Sequence, residues 1–137
     1  MSIGHKVDIL VIGSGPGGYA AAFRAADLGR DVLLIDRDSA LGGVCLNRGC
    51  IPSKALLHIS KVMEEASDVS KLGVTYARPQ IDLDAIRAHK EKIVSQLNGG
   101  IAQLAKARKV KTLQATVVFK SNNEVIAKEE SEETIIS

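Results

Sequence analysis

The sequence predicts an α/β fold in which a parallel sheet is followed by a β-meander. A short β-branched run, Val7 to Ile12, stops at a cluster of glycines and is typical of a buried strand. The alanine-rich stretch from Tyr19 to Leu28 favours a helix. A second apolar run, Asp31 to Ile35, completes strand, helix and strand within about 30 residues, the length of a βαβ unit with parallel strands.

The middle of the chain is predicted to contain a helix between two loops. Gly29 ends the preceding alanine-rich helix, and a glycine-containing loop over residues 39–43 follows the second strand. Apolar residues then share one helical face at Ala55, Ile59, Val62, Met63 and Ala66. The polar stretch from Asp68 to Gln80, which contains Gly73 and Pro79, predicts a loop with one short strand.

A second helical pattern follows that loop. Its apolar positions are Leu83, Ile86, Ile93, Val94, Leu97, Ile101 and Leu104. The pair Gly99-Gly100 interrupts the pattern, so we expect it to kink or divide the helix.

The last thirty residues predict strands that form the meander. We expect these strands at residues 110–113, 116–119, 124–127 and 134–136, with a turn at residues 121–123. Residues 132–137 resemble a strand that has just begun. We therefore expect a fold that is incomplete at its C-terminus, in a chain that is a fragment of a longer protein.

Composition is that of one ordinary domain and argues against several classes of function. The 137 residues are 45% hydrophobic and 25% charged, which is typical of a globular protein. A net charge of +2 and only four aromatic residues give no basis for nucleic-acid binding. The sequence shows no signal peptide and no run long enough for a transmembrane helix, so we expect a cytoplasmic protein without a membrane partner.

The first candidate site is the glycine turn, defined as residues 13–18. Gly13 allows a tight turn, Gly15 lets the backbone approach a pyrophosphate, and Gly18 permits close packing of helix on strand. Asp36 ends the second strand, where a carboxylate accepts hydrogen bonds from ribose hydroxyls. In this strand–turn–helix context the motif predicts a Rossmann-like dinucleotide site, but it does not separate FAD from NAD.

The second candidate site is the pair Cys45 and Cys50. Buried inert thiols are one interpretation, and a metal site lacks further Cys or His ligands at the usual spacing, so we expect no metal. A redox dithiol is the interpretation that remains beside a nucleotide fold. Residues five apart in an ideal helix have Cα atoms about 8.6 Å apart, whereas a disulfide needs less than about 7 Å. The two cysteines can therefore pair only if the turn is distorted, and Gly49 supplies that freedom.

The segment from Gly42 to His58 resembles the redox signature of the flavoprotein disulfide reductases. The similarity is greatest to the branch of that family that oxidises dihydrolipoamide, and it extends along nearly the whole chain, including residues 99–106. The resemblance implies that electrons pass from dihydrolipoamide to the cysteines, then to FAD, then to NAD. It also implies a homodimer that serves the lipoyl domains of 2-oxoacid dehydrogenase or glycine cleavage complexes.

The resemblance assigns a role to each matched residue. Cys45 is implied to be the interchange thiol that attacks substrate, and Cys50 the charge-transfer thiol that faces the flavin. Lys54 is implied to lie near flavin N5. The residues implied to bind FAD are Gly13, Gly15, Gly18, Asp36, Gly42, Gly43 and Lys54.

Three features depart from the family pattern. Asp36 replaces the usual Glu, Arg48 replaces a commonly apolar residue beside the cysteines, and residues 115–117 lack the glycines that the family tends to place near FAD. The NAD-binding and dimerisation domains are expected outside residues 1–137. Two alternatives stay open, a non-catalytic nucleotide-binding module and another disulfide reductase of the same family. His5, His58 and His89 are expected on the surface, without a catalytic role.

Overall fold

The computed structural model describes residues 6–137, so His5 lies outside the described residues. The strands are β1 (Ile9–Ile12), β2 (Val32–Asp36), β3 (Lys111–Gln114), β4 (Thr116–Phe119), β5 (Val125–Lys128) and β6 (Glu133–Ile136). The helices are α1 (Pro16–Asp27), α2 (Gly43–Arg48), α3 (Cys50–Asp68) and α4 (Leu83–Ala107), with a 3₁₀ turn at Val69–Leu72. Within the described residues, no helix is long and apolar enough to cross a membrane.

Two three-stranded sheets confirm the predicted α/β class. The first is parallel with the order β1-β2-β3, and the second is an antiparallel meander with the order β4-β5-β6. The predicted strand at residues 110–113 is β3, and it pairs with β2 rather than with the meander. The carboxyl ends of β1, β2 and β3 therefore share one edge of the parallel sheet, where ligands bind in open α/β folds.

Strand β2 separates two hydrophobic cores. Leu33 and Ile35 pack on the side of the meander, whereas Val32 and Leu34 pack on the side of α1 and α4. This alternation follows from the two-residue period of a strand, and burial on both faces explains the continuous apolar run in the sequence. Strand β2 is thus packed on both faces up to Asp36, which is its last residue.

A third, smaller core connects α2 to the rest of the fold. Leu46 of α2 packs with Val94 and Ile101 of α4, and Tyr19 and Phe23 of α1 contact the same cluster. The short helix that carries Cys45 is therefore anchored by burial of a single large side chain.

Helix α1 begins earlier than the sequence indicated, at Pro16 instead of Tyr19. Proline suits the first helical position because its fixed φ is preorganised and its missing N–H has no partner there. Gly15 is the N-cap, and no side chain caps the helix. The helix N-terminus therefore lies inside the glycine turn. Gly29 has φ +81° just after the helix, as its predicted stop requires.

Two other expectations are wrong. Helix α4 runs unbroken through Gly99-Gly100, because Val94 and Ile101 are buried on either side of the pair. Their burial outweighs the cost of two glycines, about 1 kcal/mol each. Residues 68–80 contain no strand; α3 continues to Asp68, and the 3₁₀ turn ends at Gly73 with φ +92°.

Candidate functional site

The glycines of the glycine turn are required for different reasons. Gly13 has φ +97°, a conformation that glycine adopts without strain. A Cβ on Gly18 would lie 1.7 Å from the Gly13 carbonyl oxygen, so only glycine fits there. A Cβ on Gly15 would meet no atom within 4 Å. The turn therefore packs tightly against β1 at Gly18 and leaves open space at Gly15, beside the N-terminus of α1.

Asp36 is held against the glycine turn by Ser14. One carboxylate oxygen accepts hydrogen bonds from the Ser14 N–H at 2.6 Å and from its hydroxyl at 2.7 Å. The other accepts one from the Asp38 N–H at 2.9 Å. The Ser14 side chain is fully buried. Asp36 thus fixes the turn to the end of β2 and retains lone pairs for a ligand hydroxyl.

The charge of Asp36 is stabilised by these bonds. Burial raises the pKa of its carboxyl, but the hydrogen bonds from Asp38 and Ser14 lower it, and the charge of Arg37 adds to them. The lowering effects are together stronger, so the pKa of Asp36 lies below its ordinary value. The residue therefore remains an anion at neutral pH.

Cys45 and Cys50 form a disulfide whose Cα atoms are 4.8 Å apart. The predicted distortion is a break at Gly49, where α2 ends and α3 begins. A Cβ on Gly49 would lie 3.1 Å from the Val44 carbonyl oxygen and 3.4 Å from the Cys45 Cα, so a larger residue would crowd this break. Cys45 is half-buried, whereas Cys50 is an exposed residue at the start of α3.

The cysteine segment, defined as residues 41–50, lies directly against the glycine turn. The Gly42 N–H donates to the Ser14 carbonyl at 3.0 Å. A Cβ on Gly43 would lie 2.7 Å from the Gly15 Cα, and Gly43 also has φ +61°. Gly42 has φ +105° and packs against Leu46. The two predicted sites are therefore one continuous structure joined by backbone contacts.

A groove of about 440 Å³ opens where these segments meet. Its lining includes Gly13, Gly15 and Asp36 from the first predicted site, and Gly43, Val44 and Arg48 from the second. Residues 115–117, which lack the family's glycines and are not among the residues implied to bind FAD, also line it. Ala115 connects β3 to β4, and its N–H donates to the Asp36 carbonyl at 2.9 Å, which places the start of β4 beside the end of β2.

Arg48 contributes a positive charge to the wall of this groove. Its guanidinium donates to the Asp38 carboxylate, and the Arg48 side chain is 55% exposed. The Asp38 N–H in turn donates to Asp36. Arg48, which departs from the family pattern, therefore connects the end of α2 with the loop that follows β2.

Sequence reasoning missed two asparagines that support the cysteine segment. The Asn98 amide donates to the Leu41 carbonyl at 2.6 Å and to the Asn47 side-chain oxygen at 3.0 Å. The Asn47 amide donates to the Leu41 and Gly43 carbonyls. The sequence did indicate a structural role for Asn98, because it is a polar residue on the same helical face as the buried Val94 and Ile101.

The remaining candidates lie away from the groove. Lys54 is an exposed residue in the first turns of α3 and does not line the groove, and Gly18 lies beneath the turn. His58 and His89 are exposed on α3 and α4, as expected. The structure thus brings together the glycines, Asp36 and the cysteine segment.

A glycine turn at a helix N-terminus beside a disulfide is the arrangement typical of dinucleotide-dependent disulfide oxidoreductases. A family model described as "Pyridine nucleotide-disulphide oxidoreductase" matches residues 7–136, and the chain belongs to this family. The chain is similar to proteins named dihydrolipoyl dehydrogenase.

Three relatives illustrate the similarity. The dihydrolipoyl dehydrogenase of Haemophilus influenzae is 50% identical over 94% of the chain, and that of Vibrio parahaemolyticus is 50% identical over 100% of it. Dihydrolipoyl dehydrogenase 3 of Haloarcula marismortui is 51% identical over 88%. The matched region spans 27%, 29% and 25% of these relatives. The chain therefore corresponds to little more than a quarter of their length.

Proposed function

We propose that the chain is the N-terminal part of the FAD-binding domain of a dihydrolipoyl dehydrogenase. The whole enzyme would oxidise dihydrolipoamide to lipoamide and pass the electrons through the cysteine pair and FAD to NAD. The observation that carries this proposal is the Cys45–Cys50 disulfide next to the glycine-lined groove. The identity to proteins of that name supports the choice of substrate.

The residues of the groove fit a dinucleotide. The first turn of α1 offers backbone N–H groups that no side chain caps, together with the positive end of the helix dipole. Open space at Gly15 allows a pyrophosphate to approach those groups. Asp36, held as an anion, would accept hydrogen bonds from the adenosine ribose. Gly42 and Gly43 would lie beside the flavin end. The role of Lys54 near flavin N5 rests on the family resemblance alone, because Lys54 is exposed on α3 and does not line the groove.

The cysteine pair would react with substrate by thiol–disulfide exchange. A thiolate of dihydrolipoamide attacks the Cys45 sulfur, the disulfide breaks, and Cys50 leaves as a thiolate. The second substrate thiol, after losing its proton, attacks the mixed disulfide, which releases lipoamide and leaves both cysteines reduced. The position of Cys50 at the start of the 19-residue helix α3 favours its thiolate form as the leaving group. A flavin held by the residues of the groove would supply the acceptor for the electron pair of the dithiol, with NAD as the final acceptor.

The proposal extends to the parts of the enzyme outside this chain. The NAD-binding and dimerisation domains would lie beyond residues 1–137, in a homodimer. The partners would be the lipoyl domains of 2-oxoacid dehydrogenase or glycine cleavage complexes. A disulfide that must open and close in each turnover suits the cytoplasm, where disulfides are mostly catalytic.

Thiol counting tests the substrate step. The oxidised chain is mixed with dihydrolipoamide, and free thiols are labelled and counted by intact mass. We expect two new thiols and one molecule of lipoamide per chain, because one disulfide accepts two electrons and two protons from one dihydrolipoamide. A chain whose disulfide stays intact under these conditions would contradict the proposal. The variants Cys45→Ser and Cys50→Ser serve as controls, since neither has a disulfide to reduce.

Two measurements test the cofactor and the parent protein. Titration with FAD, followed by flavin fluorescence, is expected to show binding that Gly15→Val weakens, because a side chain there would fill the approach to α1. An intact mass several times 14.6 kDa for the polypeptide in its source cells is expected from the proposed domain organisation. A mass of 14.6 kDa would overturn the assignment of NAD-linked turnover.

A further inference from the structure

Two asparagines fasten the cysteine segment to the long helix α4. Asn98, within α4, is separated from Asn47 by 51 positions in the sequence, yet its amide reaches the Asn47 side-chain oxygen at 3.0 Å. The same Asn98 amide donates to the Leu41 carbonyl at 2.6 Å. Both N–H groups of one side chain are thus used on a single segment.

Asn47 completes the connection from within the segment. Its amide donates to the Gly43 carbonyl at 3.0 Å and to the Leu41 carbonyl at 3.2 Å. Leu41 therefore accepts from both asparagines. The loop before α2 and the first residue of α2 are held by the same pair of side chains.

Helix α4 supports both cysteines, although they lie in two different helices. Cys45 lies in the six-residue helix α2, which is too short to be stable without tertiary contacts. Cys50 lies in α3, which packs along α4. Since Asn98 fixes the α2 side to α4 as well, α4 serves as the common base that keeps the two sulfurs close.

We propose that Asn98, acting through Asn47, is a positioning residue that sets the balance between the Cys45–Cys50 disulfide and the dithiol. The proposal rests on the redox role of the pair given above. A folded chain favours a disulfide to the extent that it holds the two thiols close together. Without the hydrogen bonds from the Asn98 side chain, α2 moves relative to α3, and the two thiols are less often close enough to react with each other. The equilibrium between disulfide and dithiol then shifts toward the dithiol.

A glutathione titration measures this balance without any cofactor. The protein disulfide takes two electrons and two protons from two glutathione molecules, which leave as one glutathione disulfide. Chains equilibrated at a series of glutathione ratios are quenched with acid and labelled, and the reduced fraction is read by mass. We expect Asn98→Ala to shift this equilibrium toward the dithiol by about tenfold, because two hydrogen bonds to the segment are lost.

Matched variants separate positioning from loss of stability. Asn122→Ala removes an exposed asparagine from the β4–β5 turn, and we expect it to give the same glutathione titration curve as the wild type. Val125→Ala removes buried apolar contacts in the core on the other face of β2 and lowers the stability of the chain, but it is also expected to leave the equilibrium unchanged. If Val125→Ala shifts the equilibrium as far as Asn98→Ala, the positioning role is overturned.

A second variant covers the case in which Asn98→Ala fails to fold. Asn47→Asp removes the amide donor from the segment without altering α4, and we expect a shift in the same direction. If both variants fold and give the same glutathione titration curve as the wild type, the inference is wrong, although the redox role stands. If the wild-type pair itself does not equilibrate reversibly with glutathione, the redox role proposed for it fails first.

Discussion

The glycine turn and the cysteine segment line the same groove but are held in place by different forces. The turn is fixed by sterics between neighbours in the sequence, most sharply at Gly18 against Gly13. The cysteine segment is fixed by side chains distant in the sequence, with Leu46 buried against α4 and Asn98 bonded to its loop. The glycine turn therefore depends on a close contact within six residues of chain and on the Ser14–Asp36 hydrogen bonds, whereas the cysteine segment depends mainly on side chains of the distant helix α4.

The largest expected effect would break the turn. Gly18→Ala places a Cβ 1.7 Å from the Gly13 carbonyl oxygen, an overlap with backbone that no rotamer relieves. We expect a loss of about 4 kcal/mol or more in the free energy of urea unfolding. Gly17→Ala is the matched control on the same helix, because a Cβ there meets no atom within 4 Å. A mild effect of Gly18→Ala, close to that of Gly17→Ala, would contradict the steric account.

The next effect concerns the contact between the two segments. Gly43→Ala combines a positive φ with a Cβ 2.7 Å from the Gly15 Cα, so we expect a loss of about 2–4 kcal/mol. Gly73→Ala also has a positive φ but meets no atom within 4 Å, so its loss measures the backbone cost alone. Urea unfolding of both variants tests the difference. Equal losses would show that the segments do not press on each other at Gly43.

A smaller effect depends on the charge of Asp36. Ser14→Ala removes the buried hydroxyl that donates to Asp36 at 2.7 Å, and we expect a loss of about 1.5–3 kcal/mol at neutral pH. Ser95→Ala, on an exposed part of α4, is the control and is expected to be near neutral.

The same contact predicts an acid dependence with a definite sign. The folded-state pKa of Asp36 is lowered, so the folded chain binds fewer protons than the unfolded one. Its contribution to stability is present above the unfolded pKa of about 3.9 and is lost as the pH falls through the folded pKa. Asp36→Asn is expected to remove this part of the acid dependence in unfolding curves measured from pH 7 downward. An unchanged curve would contradict the role of the charge.

The smallest effect is expected at the junction of the two segments. Arg48→Val breaks an ion pair with Asp38 in which the arginine side chain is 55% exposed, so we expect a change below about 1 kcal/mol in unfolding free energy. Lys61→Ala, which breaks an exposed pair with Glu65 on α3, gives the matched value for a pair outside the groove. A loss of several kcal/mol for Arg48→Val alone would assign this pair a much larger part in fixing the segment.

Errors in the sequence-based expectations fall where tertiary packing overrides local preference. The pair Gly99-Gly100 favours a break, yet α4 continues because residues on both sides are buried against α1 and α2. Asp68 to Gln80 contains β-branched residues that pair with no strand. The region at residues 110–119 was correctly expected to be β, but its division between two sheets depended on β2 being available as a partner.

Local sequence is enough to predict the βαβ unit, the glycine turn and the need for a distorted chain between the cysteines. Each of these follows from short-range geometry: strand periodicity, the absence of Cβ atoms, and the distance spanned by five residues in a helix. Packing between distant elements is needed to bring Ser14 to Asp36, to place residues 115–117 in the lining of the groove, and to bring Asn98 to Asn47. Ser14 and Asp36 are 22 residues apart in the sequence, and Asn47 and Asn98 are 51 apart. A hydrogen bond between groups so far apart forms only when the helices and strands that carry them have packed together.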